Sequence, residues 1–276
     1  MRGRVQSKAG LALALVAAPA AVSAQAPQDD LFGAPGARFG WAVSTGVEVS
    51  SGRFGGSSAT QVLGAPVLAS LGLGGWTLSA QSGLISTWFD TQGTEERTFT
   101  LPRRGRSITV PVPVTVSDST TGLADTSLSA RYEHVLGPAY LAGSGAVKLP
   151  TASRSRGLGT GEVDFSVSGE VGGLGDLAPF AGGGYQFLGS PPSIELANTP
   201  FAYAGLDWRA NDTFSLTGVY EYAASPLAAL QDVHQLSATA RIQLSKRVRL
   251  DVTAGAGLSE GAPDVLGGLR LVLHSR

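Results

Sequence analysis

Apolar and polar residues alternate along most of this chain, in runs of about ten residues that are each closed by a turn. One run has apolar residues at every second position, with polar residues between them: Leu236, Ala238, Ala240, Ile242 and Leu244. A period of two is typical of β-strands that have one apolar and one polar face. A length near ten matches a tilted strand that crosses the hydrocarbon layer of a membrane. The pattern therefore predicts strands whose apolar side chains face lipid and whose polar side chains face a lumen.

Runs of this kind continue to the C-terminus. The predicted strands are 39–51, 59–71, 75–89, 124–136, 138–149, 161–172, 177–189, 199–210, 213–224, 235–245, 247–258 and 264–274. Short and longer connections alternate between them, as periplasmic turns and extracellular loops do in bacterial barrels with an even number of strands. We therefore expect an all-β fold, a transmembrane antiparallel up-and-down β-barrel of about 12 strands with short periplasmic turns and longer extracellular loops.

The segment 90–123 interrupts this rhythm. It contains two short runs with strand character, but Pro111 and Pro113 exclude a central position in a sheet. We interpret the segment as a long extracellular loop, either a hairpin extension or a segment folded into the mouth of the barrel. The alternative is a further pair of strands, which would make the barrel fourteen-stranded.

The first 24 residues have the features of a cleaved secretory signal peptide. Three basic residues precede the apolar stretch 10–22, and Val22-Ser23-Ala24 resembles an A-x-A cleavage site. Cleavage after Ala26 and an uncleaved membrane anchor are the alternatives, although the apolar stretch is short for a spanning helix. Residues 25–38 are predicted to form a periplasmic N-terminal tail or short plug, and residues 39–276 to form the barrel.

Composition and charge agree with a membrane barrel. Hydrophobic residues make up 43% of the chain, charged residues 15%, and the mean hydropathy is +0.13. In lipid, only helices and closed barrels satisfy the backbone hydrogen bonds, and the period of two excludes the helix. Without residues 1–24, 17 basic and 21 acidic residues remain, so that the net charge is −4 and no nucleic-acid-binding surface is predicted. The lack of cysteine excludes disulfides and thiolate metal sites.

Extending the alternation places nearly all charged strand residues on the inner face. This is the expected side, because an Arg or Lys at mid-depth on the lipid face costs about 2–4 kcal/mol. Both signs occur, which predicts a pore with little net charge preference, although the same residues would also serve as structural ion pairs. The candidate lumen-lining residues along a substrate path are Asp125, Arg131, Glu133, Lys148, Glu162, Asp164, Glu170, Glu221, Arg241, Arg249, Asp251 and Arg270.

Large aromatic residues are candidates for girdles at the two membrane interfaces. Since the alternation in 177–189 and 199–210 is ambiguous, several of them are alternatively candidates for the bore. These residues are Trp41, Trp76, Trp88, Trp208, Tyr132, Tyr203, Tyr220 and Tyr222.

Candidate chemistry is sparse. The histidines are His134, His234 and His274, and no two of them have metal-ligand spacing, so no metal or cofactor is predicted. Only His234 lies where a rim-located lipid-modifying enzyme would need a base, with Asp232 nearby and no evident serine partner. The glycine-rich run 157–161 lacks the lysine and helix of a phosphate-binding loop. The basic segment 150–156 is either a solvated loop or a contact for lipopolysaccharide phosphates.

Two stretches resemble a known family. Residues 122–132, Gly-Leu-Ala-Asp-Thr-Ser-Leu-Ser-Ala-Arg-Tyr, are similar to its G-x-G-D-x-x-L-x-x-K-Y strand. Residues 145–151 and 158–164, Gly-Ala-Val-Lys-Leu-Pro-Thr and Leu-Gly-Thr-Gly-Glu-Val-Asp, are similar to its G-x-K-L-P-T-G and L-G-T-G-x-x-D signature. This is the outer-membrane family named for the meta-pathway of phenol degradation.

The resemblance implies a channel for the uptake of aromatic or other hydrophobic compounds. By this resemblance, Asp125, Lys148 and Asp164 match the characteristic polar positions of the family, and Gly159 and Gly161 match the glycines that shape its loop. The chain departs from the pattern at Ala124 and Ala152, and it lacks the terminal aromatic residue that the barrel-assembly machinery reads.

The sequence thus predicts a monomeric barrel in the bacterial outer membrane that passes small molecules by passive diffusion, with hydrophobic or aromatic solutes implied. Its expected partners are outer-membrane lipid, lipopolysaccharide and the barrel-assembly machinery. The alternative is a non-transporting structural or surface-interaction barrel whose lumen is sealed by salt bridges. An outer-membrane lipid-modifying enzyme is a more remote alternative.

Overall fold

The computed structural model describes residues 39–54, 59–101, 106–192 and 194–275. The predicted signal peptide and N-terminal tail lie outside these residues. The strands are β1 Phe39–Gly52, β2 Thr60–Leu73, β3 Trp76–Leu101, β4 Arg106–Leu123, β5 Thr126–Leu136, β6 Ala139–Leu149, β7 Asp164–Gly173, β8 Leu177–Phe187, β9 Thr199–Arg209, β10 Phe214–Ala223, β11 Val233–Ser245, β12 Val248–Gly257 and β13 Val265–His274. A short 3-10 helix, Arg154–Arg156, lies in the loop between β6 and β7.

These strands form one antiparallel sheet that closes on itself. Neighbours in sequence pair with one another except β4 and β5, which both pair with β3, and β13 pairs with β1 from Val265 opposite Ser51 to His274 opposite Ala42. Closure pairs the strands all the way round the ring, as a sheet in lipid requires. The predicted up-and-down barrel is confirmed.

One position of the ring is shared by two strands. β4 pairs with β3 from Leu84 upward, and β5 pairs with the same edge of β3 between Trp76 and Gln81. β4 and β5 therefore act as a single strand that is interrupted at 124–125. The ring has twelve positions, as predicted, and the fourteen-stranded alternative is wrong.

The segment 90–123 belongs to a long hairpin. The last partner of β3 on β2 is Thr60, opposite Phe89, and from there to Leu101 β3 pairs only with β4. At 3.4 Å per residue, this hairpin continues about 40 Å beyond the rim of β2. The predicted loop is thus a hairpin extension of β3, which runs farther than the sequence pattern indicated.

The turns at one end of the barrel are tight. β2 and β3 are joined by Gly74 and Gly75, and β5 and β6 by Gly137 and Pro138. Gly74 (φ +63°) and Gly137 (φ +64°) have left-handed backbone conformations, which glycine adopts without a steric penalty. The connections at the other end are longer, up to the loop 150–163. In an outer-membrane barrel, the short turns face the periplasm.

The outer surface is apolar. On β13, for example, Leu269, Leu271 and Leu273 are 55%, 49% and 45% exposed, whereas Val272 between them is fully buried on the inner face. No helix among the described residues is long and apolar enough to cross a membrane. The hydrophobic effect strongly disfavours contact between such a surface and water. The surface is therefore expected to face lipid.

Exposed aromatic residues border this apolar surface at both ends. Trp41, Trp76, Tyr132 and Trp208 lie near the short turns, and the rings of Trp76 and Tyr132 pack with centroids 5.0 Å apart. Trp88 lies on β3 near the rim where β2 ends, about 40 Å along the strand from Trp76 and about 30 Å along the axis at the usual tilt. This spacing matches the hydrocarbon layer and its interfaces. Exposed aromatic side chains thus occur near both edges of the apolar surface.

Candidate channel lumen

Polar side chains meet in three groups on the inner face of the barrel. The first group lies at the long-loop end, around Lys148 on β6. Its Nζ is 2.6 Å from Oδ2 of Asp164 on β7 and 3.3 Å from Oδ2 of Asp125, where the chain passes from β4 to β5. Lys148 also donates a hydrogen bond to Oγ1 of Thr160, at 3.2 Å. The three residues that the family resemblance carries over thus lie in direct contact.

The same carboxylates hold backbone amides of two loops. Asp125 accepts a hydrogen bond from the amide of Ala152 at 2.9 Å, and Asp164 accepts one from the amide of Gly189 at 2.9 Å. Thr160, which is 8% exposed, accepts one from the amide of Glu162. Lys148 therefore links the β4–β5 junction, the β6–β7 loop and the β8–β9 loop at the mouth of the barrel.

The loop 150–163 covers the free edge of β4. Arg156 donates a hydrogen bond to the carbonyl of Thr121, at 3.4 Å, and the Leu158 side chain lies against Gly122. The loop has little room beside the Lys148 group, because a Cβ at Gly159 would approach Asp125 Oδ2 to 2.9 Å. Glu162, predicted on the wall, lies in this loop before β7 begins, 3.9 Å from Arg154.

The second group lies nearer the short turns and centres on Glu170 of β7, whose side chain is 1% exposed. Its Oε1 accepts hydrogen bonds from Arg131 (2.8 Å) and from the hydroxyl of Tyr140 (2.7 Å). Its Oε2 accepts one from the hydroxyl of Tyr203, at 2.6 Å. Arg131 also contacts Glu133 at 3.4 Å, and its guanidinium lies 5.9 Å from the centroid of the Tyr140 ring, a cation–π distance.

The third group follows the inner wall from β9 round to β1. Its hydrogen-bonded ion pairs are Arg249–Asp251 (2.7 Å), Arg270–Glu48 (2.7 Å) and Arg241–Asp207 (3.5 Å). Thr217 also donates a hydrogen bond to Asp207. Arg249 and Asp251, whose side chains are each 10% exposed, are removed from water and stabilised by this pairing, whereas Glu48, Arg270 and Asp207 are partly exposed.

Glu221 on β10 stands apart from these groups. The residue is 4% exposed, and its carboxylate accepts a hydrogen bond from the side-chain amide of Gln235 on β11. Gln235 is itself 2% exposed. In the part of the chain that the structure describes, no basic side chain lies within ion-pair distance of Glu221.

The sequence did not resolve an aromatic patch on the inner faces of β8 and β9. Phe180, Phe201 and Tyr203 are 3–7% exposed and pack together with Val219. Tyr203, one candidate for a girdle, therefore faces the lumen, which was the alternative. The signal was weak because Ala, Gly and Pro fill the outward positions in the middle of these strands (179–183 and 200–204), and such residues do not reveal which face is apolar.

These rings lie over glycines of the neighbouring strands. Tyr140 covers Gly172, Phe180 covers Gly205, and a Cβ at Gly182 or Gly184 would come within 2.5 Å of Tyr203 or 2.7 Å of Phe201. The pairs are also opposite one another in the sheet. These glycines thus let the rings lie against the wall, a contact that compensates for the weak packing of glycine in a strand.

His234 and Asp232, the candidate catalytic residues, form hydrogen bonds with neighbouring loop and strand residues. The ring of His234 bonds the hydroxyl of Tyr220, at 2.6 Å, and Asp232 accepts hydrogen bonds from Tyr222 and from the amide of Ser225. The hydroxyl of Ser259 donates to the carbonyl of Asp232 and not to the His234 ring. Among residues with described positions, no three His, Asp or Glu side chains are placed to hold a metal ion.

The closed ring, its apolar outer face and its polar inner face define the class of protein: a transmembrane β-barrel of the bacterial outer-membrane type. No protein-family model matches the sequence, and no curated protein matches it.

Solved structures of outer-membrane barrels do match. An outer membrane channel from Pseudomonas putida F1 has 15% sequence identity and a TM-score of 0.62, over 90% of this chain and 99% of that one. The translocator domain of the autotransporter NalP from Neisseria meningitidis has 12% identity and a TM-score of 0.54, over 96% and 97%. At these identities, the matches establish the fold alone.

Proposed function

We propose that this chain is an outer-membrane channel that passes small molecules by passive diffusion, with hydrophobic or aromatic compounds as its solutes. We further propose that it belongs to the family of the phenol-degradation meta-pathway, on the strength of the motif residues quoted above. The Pseudomonas putida barrel is described as an outer membrane channel, which agrees with this proposal but does not by itself extend to the solute.

The observation that carries the proposal is the direction of the interior contacts. The ion pairs named above join residues of the same strand, as Arg249 with Asp251, or of strands no more than two positions apart, as Arg131 on β5 with Glu170 on β7. In a ring of twelve, the opposite wall is six positions away. The ion pairs given for the described residues therefore run along the wall, whereas a lumen sealed by salt bridges requires contacts across the bore.

The size of the ring also leaves room for a bore. Twelve strands about 4.8 Å apart and tilted by roughly 40° give a backbone diameter of about 24 Å. Eight-stranded barrels are filled by their side chains, whereas 16 to 18 strands enclose a wide aqueous channel. A twelve-stranded barrel whose aromatic side chains lie against the wall is expected to keep a narrow passage. Aromatic carbon would line one side of this passage, and paired charges would line the rest.

Conductance of the refolded protein in planar bilayers tests the channel. Discrete open steps are expected, and a silent bilayer with protein that migrates as a folded barrel would favour the sealed structural alternative. Flux of phenol and of a sugar of similar size into proteoliposomes tests the solute class. Faster phenol flux, relative to protein-free vesicles, is expected, and equal acceleration of both solutes would contradict an aromatic preference.

A further inference from the structure

We propose that small hydrophobic solutes leave the bore sideways and enter the outer leaflet of the membrane. Their route is the seam between the edge of β4 at 118–123 and the loop 150–163. The inference rests on the proposed channel function and adds the path and the destination of the solute. At this seam, the wall is joined by side chains and not by a β-ladder.

The seam begins where β4 passes into β5. From Thr126 towards the short turns, β5 fills the wall and pairs with β6, whose last residue, Leu149, lies opposite Thr126. Above this level β4 still pairs with β3, but its other edge has no strand partner in the described part of the chain. The loop 150–163 therefore stands where the next strand of the ring would be.

The seam lies at the depth of the hydrocarbon layer. The amide of Ala124 donates to the carbonyl of Gly83, which is about halfway along β3 between the two aromatic borders of the apolar surface. Just above it, Leu84 and Leu123 lie opposite one another on the outer face and are 55% and 59% exposed. A strand edge at this depth must be covered by protein. The loop 150–163 is that cover, and so it is the barrier between the bore and the lipid.

Side chains hold this cover in place. Besides the contacts of Arg156 and Leu158 described above, the hydroxyl of Thr151 donates to the carbonyl of Ala124 at 3.1 Å, and Asp125 accepts the loop amide. Among the described residues, no hydrogen bond joins the main chain of the loop to the main chain of 118–125. Opening the seam thus breaks a few contacts, whereas parting two wall strands would break a ladder of main-chain hydrogen bonds.

The chemistry of the solute decides whether it takes this exit. An apolar solute is more stable in hydrocarbon than in water, and the outer side of the seam presents leucine side chains to the acyl tails. An ion loses free energy of hydration in the same step and stays in the bore. The seam is therefore expected to pass hydrophobic and aromatic compounds, while ions move only along the axis.

A disulfide across the seam tests this route, because the chain contains no cysteine of its own. A Cβ at position 122 would lie 2.5 Å from Cδ1 of Leu158, so Gly122→Cys with Leu158→Cys places two thiols within reach of each other. The probe is N-phenylnaphthylamine, an aromatic compound that fluoresces in phospholipid, added to cells whose outer membrane carries the protein. Its uptake should fall to that of cells without the protein when the pair is oxidised, and recover on reduction.

Thr239→Cys with Thr253→Cys is the matched control. These hydroxyls are 2.9 Å apart on β11 and β12, two paired strands on the far side of the ring. Oxidation of the control pair should leave probe uptake unchanged. The KCl conductance in planar bilayers should stay unchanged for both pairs, because the bore remains open along its axis. Gel mobility with and without reductant shows whether each disulfide forms.

The outcomes separate this route from the channel itself. Unchanged uptake through the oxidised seam of a protein that conducts would overturn the sideways route and leave the channel intact. Loss of conductance together with uptake would also overturn it, since the loop would then block the axial bore. An unmodified protein that neither conducts nor accelerates uptake would overturn both proposals.

Lys148→Met tests the same route without a cross-link. It frees Asp125 from its cation and loosens the loop, so probe uptake should rise. The rise should vanish when the substitution is combined with the oxidised pair Gly122→Cys and Leu158→Cys. Folded Lys148→Met protein that takes up the probe no faster than the exposed control Arg53→Met would count against the seam. A rise that survives the cross-link would do the same.

Discussion

Lys148 provides the sharpest test of how the mouth of the barrel is held together. Its ammonium contacts two carboxylates and the hydroxyl of Thr160, and its side chain is 21% exposed, whereas those of Asp125 and Asp164 are 14% and 18% exposed. Lys148→Met keeps most of the aliphatic stem and removes the charge. In this variant the two poorly hydrated carboxylates face each other without a base between them. The loop amides that are hydrogen-bonded to these carboxylates are affected as well.

The expected cost is estimated in two ways. Removing one partner of a fully buried ion pair costs about 3–5 kcal/mol, and partial exposure of this group lowers that figure. Repulsion between carboxylates roughly 6 Å apart is worth about 3 kcal/mol at an effective dielectric constant of about 20. We therefore expect Lys148→Met to lower the free energy of unfolding by about 2–3 kcal/mol.

The assay is urea unfolding of the refolded barrel in detergent, followed by tryptophan fluorescence. Arg53→Met is the control, since it removes one positive charge from an exposed position at the same end of the barrel. A second variant, Lys148→Met with Asp125→Asn and Asp164→Asn, removes the repulsion and should recover at least half of the loss. The reasoning is refuted if Lys148→Met costs no more than Arg53→Met, or if the triple variant is less stable than the single one.

Three further perturbations test other parts of the wall. Gly172→Ala places a Cβ against the Tyr140 ring and should push that ring into the bore. We expect a lower single-channel conductance than for the control Gly218→Ala, where a Cβ meets open space. Equal conductance of the two variants would contradict this. Glu170→Gln should destabilise the barrel by about 2–4 kcal/mol in the same unfolding assay, because Arg131 loses a buried charged partner; an unchanged midpoint would show that this group is not structural. Leu269→Arg, on the outer face of β13, should cost about 2–4 kcal/mol if that face meets lipid, and a neutral effect would argue against the membrane orientation.

Much of the architecture was predictable because alternation is a local property. Side chains on a strand point to opposite faces in turn, and only one assignment of faces keeps residues such as Arg241 and Asp251 out of lipid. The number of strands followed from the turns between these runs. The β3–β4 hairpin was not resolved, because prolines at 111 and 113 exclude a central strand but not a two-stranded extension with a free edge.

Contacts between side chains of different strands were decided only by the tertiary structure. Lys148 and Asp164 lie on adjacent strands and Asp125 lies at the β4–β5 junction, so their shared contact depends on the stagger of the strands in the closed ring, which no single run encodes. Tyr203 reaches Glu170 across β8 only because Gly182 leaves space beneath the ring. Alternation, set by the geometry of one strand, thus determined which face each charged residue occupies. Closure of the sheet determined which charges pair, and hence that Glu221 is left with an amide.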